Sequence, residues 1–354
     1  MKNFIAKLSN FQFPFFAREH IAFDFGTTTT RIGLHGKGVV LKEPTCLGLN
    51  RKMREFIFFG TEAYQITGKV PEFITIEHPI VNGIVSDFDG QVALISHFIR
   101  KSIAPYQTRF LTLKPQLEAV VNIPSIATEI EQKAVDEVLA KSSVFKSHLI
   151  ESPIAAAVGC GFDPFAHKPL LIVDMGGGLV EIAVISGGGV VIQKTLKTAG
   201  NHMNKLIANY AYLKHGIILG EITCEQLKID LFTFDEKEKT QVVRGKSLES
   251  GLPKSIKMRS SDIKEALLTV VNQIIDTVKE VIELSPPEVV DEIFNHGVYL
   301  TGGLANIERI DHYFASELKI ETQIPEKPEN TTIHGLLRLA SDPESLRKLQ
   351  IILP

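Results

Sequence analysis

Residues 20–31 read His20-Ile-Ala-Phe-Asp24-Phe-Gly26-Thr-Thr-Thr-Thr-Arg31. An apolar run, Ile21 to Phe23, delivers a carboxylate at Asp24. Glycine follows at Gly26, then four hydroxyl side chains, Thr27 to Thr30. Beyond them Ile32, Leu34 and Val39–Leu41 resume the alternation of a second strand. The pattern predicts a strand, a tight glycine-centred turn and a returning strand. Such a turn presents backbone N–H groups and hydroxyls to an anion, and glycine lets the backbone approach a phosphate closely. Asp24 suits a hydrated Mg²⁺, which takes one or two carboxylates and otherwise water and phosphate oxygens. Taken alone, the stretch reads equally as a β-hairpin with a polar loop, because short glycine motifs often occur without function.

A second copy changes that balance. Residues 169–178 read Pro169-Leu-Leu-Ile-Val-Asp174-Met-Gly176-Gly177-Gly178, again an apolar strand ending in Asp-x-Gly. Val180–Ile185 and Val190–Ile192 resume the strand pattern. Asp174 follows Asp24 by 150 positions, so each half of the chain carries one copy. Two matching phosphate-turn candidates predict two similar half-domains facing one nucleotide.

Bulk properties bound the alternatives. The chain has 354 residues, 44% of them hydrophobic and 22% charged, which suits two domains or one bilobed globular unit. A net charge of −3 is too balanced for nucleic-acid binding through a global field. Cys46, Cys160 and Cys224 are widely spaced, which argues against a disulfide framework or a zinc site and fits a reducing cytosol. No apolar run reaches the ~20 residues of a membrane span. The N-terminus is nevertheless apolar and basic. Phe4, Ile5, Leu8 and Phe11 recur at helical spacing, Lys2, Lys7 and Arg18 add positive charge, and no acid precedes Glu19. This predicts a short amphipathic helix lying in a membrane interface, the alternatives being a flap packed on the domain or a disordered tail. Residues 103–115 carry Tyr106, Phe110 and Leu111 among Arg and Lys, a second candidate membrane contact or a local core.

Between these landmarks strands alternate with helices, an α/β pattern. Helices are expected at Thr61–Gly68, Phe88–Ser102, Thr128–Ala140 with Thr128 as N-cap, Ile154–Cys160, Met203–Leu213, Cys224–Leu231, Ile263–Leu284 and Gly335–Ala340. Phe56–Phe59, Leu117–Ile123 and Gly297–Leu300 read as strands, the last running into Thr301-Gly302-Gly303. The charged stretch Asp235–Lys239 reads as a solvated loop.

Over roughly residues 20–340 the sequence resembles the actin-like ATPase superfamily, and most closely the MreB-type bacterial actins. Asp24-Phe-Gly26-Thr27 resembles the first phosphate motif, Asp174-Met-Gly176-Gly177-Gly178 the second, and Thr301-Gly302-Gly303 the adenosine motif. More particular landmarks are Gly36-Lys-Gly-Val-Val-Leu-Lys-Glu43-Pro44, Gly83-Ile-Val-Ser-Asp87-Phe88, Ser152-Pro-Ile-Ala-Ala-Ala157, Ser250-Gly-Leu-Pro-Lys254 and Pro286-Pro-Glu288. The resemblance implies a duplicated actin-like α/β fold, two lobes with four subdomains around a cleft that binds ATP and Mg²⁺. Residues 20–47 and 81–166, with 334–354, would form subdomain IA and 48–80 subdomain IB. Residues 167–202 and 266–333 would form IIA and 203–265 IIB, with 1–19 as a membrane-contact segment. Asp24 and Asp174 would hold Mg²⁺ through water. Thr27, Thr28, Thr29, residues 176–179, Glu225, Gln226, Leu227, Lys228 and residues 301–304 would surround the nucleotide. Glu225 and Lys228 also lie one helical turn apart, the spacing of an exposed ion pair. Such proteins polymerise into double antiparallel protofilaments on the inner membrane face and guide cell-wall elongation. Expected partners are therefore further copies of the chain, paralogous filament subunits, membrane-bound cell-elongation proteins and the membrane surface.

Departures from that pattern bear on mechanism. The family has two glutamates before the proline of the alanine-rich helix; here the pair is Glu151-Ser152. It places a threonine after the three glycines of the second turn; here that residue is Leu179. Ser152 and Leu179 thus stand at both water-positioning sites, leaving Glu151 as the carboxylate that could compensate. Groups that orient the attacking water are worth ~10²–10⁴-fold in rate, so ATP binding with slow or absent hydrolysis is expected, the alternative being a fully active ATPase. Thr29 stands where asparagine is common, Leu304 where a third glycine is, and Ala199-Gly-Asn-His-Met-Asn204 replaces an acidic run near the adenine pocket. A small-molecule kinase of the same fold would need a catalytic aspartate aimed at a bound hydroxyl and a substrate pocket built from insertions; neither is visible. A chaperone of the superfamily would need a peptide-binding domain beyond the stretch from Thr301 to Pro354.

Overall fold

The computed structural model describes residues 18–106 and 116–353. Phe4, Ile5, Leu8, Phe11 and Phe110 lie outside these residues, and Tyr106 closes a 3₁₀ turn over Ala104–Tyr106.

The first half opens with strands β1 (Arg18–Phe25), β2 (Thr29–Leu34) and β3 (Gly38–Pro44). The single returning strand expected after Thr30 is therefore two, because the Gly36-Lys37-Gly38 turn reverses the chain with both glycines at positive φ. β4 (Leu47–Asn50), β5 (Glu55–Phe59) and β6 (Ile74–Glu77) form a small separate sheet in the order β5-β4-β6, with helix α1 (Thr61–Gln65) beside it. After the two-residue strands β7 (Ile80–Val81) and β8 (Ile84–Val85) comes α2 (Phe88–Ile103), whose first turn is capped by the Asp87 carboxylate. β9 (Gln116–Ile123), α3 (Glu129–Lys141), β10 (Val144–Glu151) and α4 (Ser152–Cys160) complete this half. The Thr128–Glu131 capping box starts α3 at the expected place.

The second half repeats the plan. β11 (Leu170–Met175), β12 (Val180–Ser186) and β13 (Gly189–Leu196) form an antiparallel meander. α5 (Gly200–His215), β14 (Ile217–Ile218), α6 (Glu221–Leu231), β15 (Thr240–Ser247), β16 (Pro253–Arg259) and α7 (Ser260–Leu284) follow. α8 (Pro287–His296), β17 (Val298–Thr301), α9 (Ile310–Leu318), β18 (Thr322–Gln323), α10 (Thr331–Ala340) and α11 (Pro343–Leu349) end the described chain. The large sheets run β3-β2-β1-β9-β10 and β13-β12-β11-β17-β18, and in each the fourth and fifth strands run parallel to the first. The registers also match: Phe25 faces Thr30 and Asp24 faces Arg31 in one hairpin, as Met175 faces Val180 and Asp174 faces Glu181 in the other. This is the duplicated two-lobed α/β architecture that the resemblance implied.

Each large sheet has its own apolar core. Ile21, Phe23, Leu94 and Phe98 lie in one, and Val173, Ile182, Ile274 and Val278 in the other. α4 is buried nearly all round, so its Ala155-Ala156-Ala157 run lets it sit close to α10 and β11. A side chain at Gly159 or Gly335 would overlap backbone of the opposite helix.

Three elements escape the sequence patterns. The β15–β16 hairpin is mostly exposed, so its apolar residues do not alternate cleanly with the charged ones. Pro286-Pro287 ends α7 as expected but also starts α8, since proline at the first helical position loses no intrahelical bond. α5 begins at Gly200 rather than Met203 because Gly200 N–H and Asn201 N–H donate to the Gly176 and Gly177 carbonyls (3.2 and 2.7 Å). Its first donors are satisfied by the second glycine turn, not by a local cap.

Candidate functional site

The two Asp-x-Gly hairpins meet across a cavity of about 430 Å³ between the lobes. The first turn, Gly26-Thr27-Thr28, is locked from outside: Thr45 Oγ1 donates to the Gly26 carbonyl at 2.7 Å, Thr45 N–H to the Thr28 carbonyl at 3.0 Å, and Gly83 N–H to Thr27 Oγ1 at 2.9 Å. The second turn closes on itself through Gly176 N–H to the Leu179 carbonyl at 2.9 Å. The turns face one another so closely that a β-carbon at Gly177 would overlap the Thr28 side chain, and one at Gly178 that of Thr27. A third loop closes the cradle. Gly302, at φ +82°, donates to the Pro328 carbonyl at 3.0 Å, and a β-carbon there would run into Asp174.

Carboxylates gather at this end. Asp24 is buried and ion-paired with Arg31 Nη1 at 3.1 Å; burial raises its pKa and the guanidinium pulls it back. Asp174 accepts from Thr301 Oγ1 at 3.2 Å, and burial, reinforced by Asp24, pushes it up to about 6. Glu181 is buried in the cavity wall and pushed up to about 8, chiefly by burial. Its Oε1 accepts from Ser125 N–H at 3.0 Å. Ser152 Oγ accepts from Asn122 Nδ2 at 3.2 Å, and Asn122 Oδ1 from Phe25 N–H at 2.7 Å. One polar chain thus runs from the first turn to the start of α4.

At the far end Lys228, buried, donates to Glu225 at 2.7 Å and to the Gly200 carbonyl at 3.0 Å. This is more than the solvated i,i+3 pair its spacing allows. Asn204 Nδ2 also holds Glu225, at 2.6 Å, while its buried Oδ1 has no partner among the described residues.

Of the sequence candidates, Asp24, residues 27–29, Asp174, residues 176–179, Ser152, Glu225, Lys228 and residues 302–304 line the cavity. The structure places Glu151, Gln226, Leu227 and Thr301 elsewhere. Glu151 is the residue before α4, and Ser152 takes the lining position. Gln226 is exposed and donates to Asp230, Leu227 is fully buried in the second core, and Thr301 lies beneath Asp174. Sequence reasoning passed over Arg31, Asn122 and Glu181, all of which line the cavity. Arg31 and Glu181 were detectable in principle, as the residues facing Asp24 and Asp174 once a tight turn is assumed.

Among the described residues no group of three or more His, Cys, Asp or Glu is arranged to hold a metal by itself, and no helix is long and apolar enough to cross a membrane. Cys46 and Cys224 are buried, Cys160 half-buried, and all three are free thiols.

Comparison with known proteins gives consistent matches. The profile of the MreB/Mbl protein family matches residues 18–348. The chain is 33% identical over 338 residues to the cell shape-determining protein Mbl of Bacillus subtilis, covering 95% of this chain and 99% of the relative. It is 30% identical over 322 residues to the cell shape-determining protein MreB of Escherichia coli, covering 89% and 91%. The crystal structure of MreB5 of Spiroplasma citri bound to ADP superposes with a TM-score of 0.86 at 29% identity, over 92% of this chain and 98% of that one. A MamK double helical filament subunit, at 17% identity and a TM-score of 0.78 over 92% and 99%, shares the fold.

Proposed function

The chain belongs to the MreB/Mbl family, and from that premise we propose that it is a nucleotide-dependent filament protein that sets or maintains cell shape. ATP is the proposed nucleotide, held in the interlobe cavity. The observation that carries this is the pair of equivalent hairpins facing one another, Thr27 and Thr28 against Gly177 and Gly178. Threonine hydroxyls from one lobe face a glycine turn from the other, which suits a polyphosphate and links its presence to lobe closure. The ADP-bound relative supports the same reading. Mg²⁺ would be held through water by Asp24 and Asp174, Asp24 also pairing with Arg31 through Oδ2, and would supply charge neutralisation at the terminal phosphates.

Hydrolysis is proposed to be slow. Ser152 is tied to Asn122, and Leu179 presents no hydrogen-bonding side chain. A fully active ATPase is the second reading, favoured by the Glu181 carboxyl in the cavity wall beside Ser152.

Subunits are proposed to polymerise as double protofilaments on the inner face of the cytoplasmic membrane, with paralogous subunits and cell-elongation proteins as further partners. The four-subdomain boundaries read from the sequence belong to this proposal. So does membrane contact through Phe4, Ile5, Leu8, Phe11, Tyr106 and Phe110.

Sedimentation with ATP and with a non-hydrolysable analogue, with phosphate release measured in parallel, tests the reading. Equal pelleting in both, with little phosphate released, is expected. No pelleting removes the filament reading, and phosphate release matching active relatives removes slow hydrolysis. Liposome flotation is expected to fail after deletion of residues 1–16; unchanged flotation excludes the N-terminal contact.

A further inference from the structure

Arg31 lines the cavity beside the first turn. It faces Asp24 across the first hairpin and holds that carboxylate through Nη1 at 3.1 Å. Its Nε donates to Asn330 Oδ1 at 3.1 Å. Asn330 belongs to the segment whose Pro328 carbonyl receives Gly302 N–H, so Arg31 ties the first phosphate turn to the third loop. The side chain is fixed at both ends, only 11% exposed, and forms part of the cavity wall. A guanidinium has more N–H donors than these two bonds use, and it stays charged at any working pH.

The hairpin does not need this pair to form. Its counterpart, with the same register, places Glu181 opposite Asp174. What Arg31 changes is the charge of the phosphate end. Two aspartates facing a polyphosphate require a bridging divalent cation. Here one of them is already neutralised by a buried, immobile positive group. The other cations of the cavity are engaged elsewhere, Lys42 with Glu329 at 3.9 Å and Lys228 with Glu225.

Resting on the nucleotide reading above, we propose that Arg31 is a built-in counter-cation of the phosphate site, which neutralises Asp24 and leaves nucleotide binding only weakly dependent on Mg²⁺. Arg31 acts on binding. It is assigned no part in a chemical step.

Equilibrium binding of ATP, followed by calorimetry with Mg²⁺ and with excess EDTA, tests this in the wild type, Arg31→Leu and Arg31→Lys. A charged hydrogen-bonding partner is worth roughly 10- to 100-fold in an equilibrium constant. The wild type should therefore lose less than about threefold in affinity on chelation. Arg31→Leu should lose about tenfold or more and recover with Mg²⁺, and Arg31→Lys should fall between. A wild type that loses tenfold or more on chelation overturns the proposal, as does a folded Arg31→Leu variant that responds to Mg²⁺ like the wild type. Circular dichroism checks that Arg31→Leu folds; if it does not, the wild-type arm decides alone. A wild type that fails to bind ATP even with Mg²⁺ overturns the nucleotide reading and this inference together, whereas binding with strong Mg²⁺ dependence overturns this inference alone.

Discussion

The two halves of the molecule carry the same hairpin, with the same aspartate, turn and cross-strand register, yet opposite chemistry across from the aspartate. Asp24 faces Arg31; Asp174 faces Glu181. The first hairpin is electrically closed and braced by Thr45, Gly83 and Asn330. The second gathers acids, half-buried Asp174 raised to about 6 and buried Glu181 to about 8, beside Ser152 and Leu179 in the cavity wall. Duplication supplies the clamp, and divergence across from the aspartate makes one side an ion-paired grip and the other a cluster of acids.

Three changes would break or sharpen this contrast. The largest effect should come from giving the second lobe the water-positioning groups it lacks. Ser152→Glu with Leu179→Thr is expected to raise ATP-dependent phosphate release by about 10²-fold or more; no increase in a folded double variant would mean that neither position limits hydrolysis.

Making the first hairpin resemble the second is next. Arg31→Glu leaves Asp24 buried beside another acid, and breaking a buried pair in this way costs about 3–5 kcal/mol. A clear drop in the thermal midpoint is expected, and an unchanged midpoint would show that the pair contributes nothing to folding.

The third change concerns the second hairpin's acid in protein free of nucleotide and metal. Burial raises Glu181 from 4.5 to about 8, so across that interval the folded chain keeps a proton that the unfolded chain has released. Its contribution is full below 4.5 and declines as pH rises toward 8, so stability should fall over that range. Denaturant midpoints should show a shallower decline in Glu181→Gln. An identical slope in both proteins would assign the pH dependence to other groups.

Much of this was legible in the sequence because its signals are local. Apolar runs ending in Asp-x-Gly announced both hairpins, and Thr128 as N-cap placed the start of α3. The misses have physical reasons. Leu227 sits between Glu225 and Lys228 in sequence, but the helical period turns it into the core. Thr301 precedes the loop that lines the cavity and faces Asp174 from beneath. Glu181 reads as an outward residue of an alternating strand, and only the other lobe, through Ser125, makes its face an interior one. Arg31 ends the opening stretch itself, yet its role depends on the register that sets it against Asp24. The significance of Ser152 and Leu179 came from family resemblance, since no local pattern marks a missing group.

The central claim is that the facing hairpins form one nucleotide clamp, and calorimetric titration of ATP with Mg²⁺ into Gly178→Val tests it most directly. Valine there would overlap Thr27, whereas Gly189→Val, with open space around it on the same lobe, serves as the folded control. Saturable binding at one site per chain is predicted for the wild type and Gly189→Val, and loss of binding for a folded Gly178→Val. Undiminished binding by Gly178→Val, or none by the wild type, would contradict the clamp.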